Sequence, residues 1–111
     1  MAEPISYPDF KKTELRVAVV LSVEDLAGKD KLYKLTIDAG EEKPRTLVAG
    51  LKPFYSKEEF VGKQIVIVAN LEPKPLGGVV SHGMLLAAGP KEGPVSLVTL
   101  DKKVEPGSLV E

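Results

Sequence analysis

The chain has 111 residues and a mass of 11.9 kDa, the size of one ordinary domain, which excludes a two-lobed enzyme with its cleft between domains. With no cysteine it carries neither a disulfide framework nor a thiolate metal cluster, a composition suited to a reducing compartment. A balance of 15 Lys and Arg against 16 Asp and Glu, a formal net charge of −1, argues against a nucleic-acid binder working by bulk charge.

Residues 1–10 are polar and carry prolines, without the basic region and apolar run of a secretory signal. The longest apolar stretches, residues 65–69 and 84–88, are far short of the roughly 20 needed to cross a bilayer. A soluble, cytoplasmic protein with no membrane partner is expected. One Asn, one Gln and 28% charged residues lean towards a thermophile source.

Period two dominates the first half. Over residues 14–24, Leu15, Val17, Val19, Leu21 and Val23 alternate with Arg16, Ala18, Ser22 and Glu24, which predicts a long strand with one face in a core. Residues 25–30 have turn composition, and residues 31–38 resume the alternation with Tyr33, Leu35 and Ile37 on one face. After a second turn at 40–44, Leu47 and Ala49 mark a third strand over 45–49. A short helix then interrupts the strands. Ser56 and Glu59 form a capping box, Tyr55 and Phe60 flank it as a hydrophobic staple, and Gly62 sits where a C-terminal glycine belongs. The β-branched run at 64–71 predicts a strand buried on both faces, and 72–78, with two prolines and two glycines, predicts a loop. Residues 82–88 make the fifth strand, with further short strands at 95–100 and 104–110.

Three strands, a short helix and two strands is the order of an all-β OB-fold, a partly open five-stranded barrel with the helix between strands three and four, here with a C-terminal β extension. A small sandwich or SH3-like barrel has no reason to place a capped helix there. One domain over 1–111 is expected, its core spanning about 9–88 and the extension at about 89–111 serving dimer formation. OB barrels bind oligonucleotides or oligosaccharides on the face of strands two and three, flanked by the loops joining strands one to two and four to five.

Six ordered blocks carry a family resemblance: FKKTELRV (residues 10–17), KDKLY (29–33), VAGL (48–51), EEFVGK (58–63), VIVANL (66–71) and VVSHGMLLAA (79–88). Together the chain resembles the tRNA-binding domain family, which includes free-standing dimeric tRNA-binding proteins and the C-terminal domain of methionyl-tRNA synthetases. The resemblance implies a homodimeric OB-fold that recognises tRNA by shape and backbone, acting in trans with methionyl-tRNA synthetase as a partner.

Such binding needs cations tracking phosphates, polar groups for sugars and base edges, and flat or apolar platforms for bases. Lys29, Lys31 and Lys34 bracket Tyr33, with Arg45 on the next strand. Tyr33 is either a stacking ring or, in phase with Leu35 and Ile37, core; the lysines either meet phosphate or are solvated. The resemblance places Asn70, Ser81 and Met84 beside the tRNA, each with a structural counterpart: an amide holding its loop, a turn hydroxyl and a core side chain. His82 is a polar contact or an exposed strand residue. Glu72, Pro75 and Gly77 stand where the family carries positive charge, leaving Lys74 as the cation of that loop and implying a modest, salt-sensitive affinity. No metal or cofactor site is expected: His82 is the single histidine, no phosphate-cradling loop is present, and Glu41-Glu42 and Glu58-Glu59 read as a turn and a helix start rather than catalytic pairs. Beside the tRNA-binding reading stand a peptide-binding, export-related chaperone of the same superfamily and a structural assembly subunit; an enzyme is not expected.

Overall fold

The computed structural model describes residues 2–111. The first long strand, β1 (Leu15–Leu26), departs from simple alternation. Val20 pairs with Ile37 and Ser22 with Thr36, so Leu21 is an extra residue in a bulge, and the strand changes phase there. Ala18, Val20 and Val23 therefore enter the core, whereas Leu21, expected inside, is 47% exposed. Val17 is buried on the opposite face, where its backbone bonds Ser108 and Gly107. The bulge also lets β1 bend. Its start pairs with β4 (Gln64–Val68), and its end pairs with β2 (Lys29–Asp38), which pairs in turn with β3 (Arg45–Ala49).

β2 sends Tyr33, Leu35 and Ile37 into the core as the alternation predicts, and β4 is buried on both faces, Ile65 and Ile67 in the core and Val66 and Val68 on the other side. A short helix α1 (Tyr7–Lys11) precedes β1, capped by Ser6 with Pro8 in its first turn; five residues are too few to leave an apolar period, and it was not expected. Helix α2 (Lys57–Phe60) forms on its capping box: the Glu59 N–H donates to Ser56 Oγ, and the Ser56 N–H to Glu59 Oε1. Phe60 is fully buried, its ring centroid 5.5 Å from Tyr55 and 6.0 Å from Tyr33, the latter edge-on. The staple thus pins the helix over the core.

After Val68 the strands become short. Residues 72–78, expected as a loop, contribute instead to a hairpin of β5 (Lys74–Leu76) and β6 (Val79–Ser81). Gly77 and Gly78 have φ of 58° and 84°, the two positive values a type I′ turn requires. The expected fifth strand splits into β7 (Met84–Leu85), paired with β4, and β8 (Ala87–Ala88), paired with β9 (Ser96–Leu97). The strand expected at 95–100 shrinks to β9, and that at 104–110 to β10 (Leu109–Val110), which adds to β1 of its own chain at Leu15 and Arg16. The main sheet runs β3-β2-β1-β4-β7. Between β3 and the β6–β7 junction there is no ladder; the His82 N–H to Thr46 carbonyl bond (2.9 Å) and the Val48 N–H to Ser81 Oγ bond (3.0 Å) bridge the gap. This is the mostly β architecture with a helix between the third and fourth strands that the residue pattern predicts.

Candidate nucleic-acid interface

The β5–β6 hairpin lies between two features. At its base an open groove of about 680 Å³ is lined by the β2–β3 turn, including Lys43, and by Arg45, Leu71, Pro73 and His82. At its tip Gly77 packs against the β1–β2 turn: a Cβ there would come within 3.0 Å of Leu32 Cδ1, 3.2 Å of Leu26 Cδ1 and 3.5 Å of Lys29 Cγ. Gly77 is thus favoured by a left-handed turn and a close contact; a side chain at this position presses on the ends of Leu32 and Leu26.

Several residues expected to meet tRNA are engaged inside the protein. Tyr33 is 5% exposed and its hydroxyl donates to the Tyr55 carbonyl at 2.8 Å, so the core alternative holds and the stacking role does not. Arg45 forks onto Glu41, Nε to Oε1 at 2.6 Å and Nη2 to Oε2 at 2.8 Å, while Nη1 donates to the carbonyls of Ala69 and His82. It therefore clamps the β2–β3 turn to both ends of the hairpin segment instead of presenting a fork to phosphate. Hydrogen bonding from Arg45 holds the Glu41 carboxyl below the usual range. The Asn70 amide accepts from the Glu14 N–H at 2.8 Å and donates to the Lys12 carbonyl at 2.6 Å, tying the end of β4 to the entry of β1. Ser81 is 2% exposed; its hydroxyl accepts from Val48 and donates to the Gly83 carbonyl, both at 3.0 Å. Asn70, exposed, and Ser81, buried, make the bonds of a loop-holding amide and a turn hydroxyl.

The other candidates face solvent. Met84 is 49% exposed rather than core, and His82 is an exposed wall of the groove. Lys34 stands 3.5 Å from Glu24 across the β1–β2 ladder. Among the described residues, Lys29, Lys31 and Lys74 are in no ion pair, and neither is Lys43, whose place in the groove was not anticipated. Only its position in a charged turn marked Lys43 in the sequence. Near the hairpin tip Asp25 binds both Lys52 (2.9 Å) and Lys57 (2.7 Å); these hydrogen bonds, Lys52 first, hold its carboxyl below the usual range, and the bond to Asp25 raises Lys57. No helix among the described residues is long and apolar enough to cross a membrane.

Comparison with known proteins adds the context for this geometry. The family model "Putative tRNA binding domain" matches residues 15–109. A methionine–tRNA ligase of Methanosarcina acetivorans is 47% identical over 106 residues, covering 96% of this chain and 15% of the ligase. The chain thus spans a small part of the length of such a relative. Among solved structures, a MetRS-related protein from Pyrococcus horikoshii superposes with a TM-score of 0.91 at 34% identity, covering 99% of this chain and all of that one. The chaperone CsaA from Bacillus anthracis superposes at 0.88 and 28% identity, over 98% of this chain and all of the other. A family match over residues 15–109, on a mostly β fold of antiparallel sheets shared with these solved structures, makes this chain a member of the tRNA-binding domain family.

Proposed function

We propose that the domain grips tRNA by its backbone along the β5–β6 hairpin, with Lys43 and Lys74 at its base, Lys29 at its tip and Lys31 further along the start of β2 meeting phosphates. Met84 and His82 offer an apolar and a polar contact beside them. The observation that carries this is that unpaired lysines flank both ends of one hairpin, separated by three residues of strand, about 10 Å. The module binds without catalysing, acts in trans on the substrate of a methionyl-tRNA synthetase in the cytoplasm, and works as a homodimer. The likeness to methionine–tRNA ligases and to a MetRS-related chain of the same extent supports the choice of partner.

Fluorescence anisotropy with labelled total tRNA tests this. Four phosphate contacts give a slope of log affinity against log salt of about −3 to −4. Absence of binding at about 50 mM salt defeats the proposal. A second reading, capture of unfolded peptide, is favoured by the exposure of Leu71 (46%), Val80 (45%) and Met84 (49%) on and around the hairpin. Salt-insensitive binding of an unfolded polypeptide, without tRNA binding, selects it. Sedimentation velocity at micromolar concentration reads the dimer.

A further inference from the structure

Asp25, near the end of β1, holds two ammonium groups at once, Lys52 on Oδ1 at 2.9 Å and Lys57 on Oδ2 at 2.7 Å. The lysines come from different elements: Lys52 follows β3, and Lys57 opens α2. The Lys52 backbone N–H approaches the Lys31 carbonyl at 3.4 Å, and its ammonium lies 6.0 Å from the Tyr33 ring centroid. Two lysines therefore meet around one carboxylate near the turn of the β1–β2 hairpin, close to the Lys31 backbone and on the face of Tyr33, with which Asp25 pairs across the ladder.

A carboxylate and a backbone phosphate both present two anionic oxygens to the same donors. The trio is open to exchange, since the side chains of Asp25, Lys52 and Lys57 are 49%, 32% and 43% exposed. Ion pairs this exposed add little to stability and are screened by salt, so they are readily traded for another anion. Among the described residues Asp25 alone takes two lysines.

We propose that Lys52 and Lys57 form a site for an RNA backbone phosphate that Asp25 occupies from within the chain, so that Asp25 competes with the nucleic acid and limits its affinity. The inference rests on the tRNA reading above and adds a contact that reading does not use. Lys52 and Lys57 are five positions apart on different elements, and both reach Asp25 because β1 and α2 meet in space.

Asp25→Asn and Asp30→Asn discriminate the idea, because both remove one negative charge near the same turn and Asp30 holds no lysine. Asp25→Asn is expected to bind tRNA on the order of tenfold more tightly at about 50 mM salt. It should also lose about threefold more affinity than the wild type between about 50 and 200 mM, as one added phosphate contact steepens the slope by about 0.9. Asp30→Asn should change affinity by less than about threefold with its slope unaltered, and the triple variant Asp25→Asn, Lys52→Gln, Lys57→Gln should lose the gain. Wild-type binding combined with an Asp25→Asn affinity no greater than that of Asp30→Asn overturns this proposal alone. Failure of wild type and Asp25→Asn to bind at all overturns it together with the tRNA reading. If Asp25→Asn does not fold, titrating wild type with inorganic phosphate reads the same exchange through the Lys52 and Lys57 ammonium signals by NMR, and signals that do not move overturn it.

Discussion

Residues 15–68 and residues 69–111 are held together in different ways. The first stretch builds strands of 12, 10, 5 and 5 residues around a continuous apolar core, so its ladders and its packing support each other. No strand in the second exceeds three residues. It is fastened by polar side chains reaching across: Asn70 to the entry of β1, Arg45 to Ala69 and His82, and Ser81 to Val48. The Tyr55 hydroxyl likewise accepts from the Leu97 N–H, and the Gln64 amide from the Val104 N–H. Polar residues in a loop-rich region look like ligand contacts in sequence, and here several are the fasteners of a segment that lacks a core of its own.

Four experiments test that contrast. Phe60→Ala should cost about 3–5 kcal/mol by urea denaturation, since the ring is fully buried between Tyr33 and Tyr55; a loss below about 1 kcal/mol means the first region is not organised around it. Ser81→Ala should cost about 1–3 kcal/mol, because the buried Val48 N–H loses its acceptor. Hydrogen exchange should then quicken at Val48 and around the hairpin, and unchanged exchange there contradicts the fastening role. Smaller still is the effect of acid on the Glu41–Arg45 clamp. A carboxyl held below its usual range adds stability that is present above the ordinary carboxylate range and lost as pH falls through its folded value. The wild-type urea midpoint should therefore fall more steeply below about pH 4 than that of Glu41→Gln, by a small margin because the pair is partly exposed. Parallel curves refute it. Lys74→Glu should leave stability within about 0.5 kcal/mol while lowering the tRNA salt slope by about one; adding Asn70→Ala should then lower stability, which sorts the fastener from the contact.

Much of the fold was legible because its signals are local. Ser56 and Glu59 form their capping box, and the apolar run after Gly62 forms a strand buried on both faces, though it stops at Val68 rather than Leu71, where the chain turns. The Leu21 bulge was not legible: period two runs unbroken through residues 15–23, and only the demand that one strand pair with β4 and then β2 forces the extra residue. The hairpin was within reach, since two glycines between short apolar runs are a type I′ signal, but Pro73 and Pro75 masked it. For the candidate interface, residue types were legible and their employment was not. Nothing in the order of residues says that Arg45 will find two carbonyls 24 and 37 positions away, or that Lys43 will have no partner.

The family and the order of elements follow from the residue order, because periodicity, caps and ordered motif blocks are written along the chain. Which polar groups bond within the chain depends on the folded arrangement. A hydrogen bond or ion pair is settled by distance in space, so Asn70, Arg45 and Ser81 hold the second region to the first, while among the described residues Lys29 and Lys43 stand beside the hairpin and Lys74 on it, free of ion pairs.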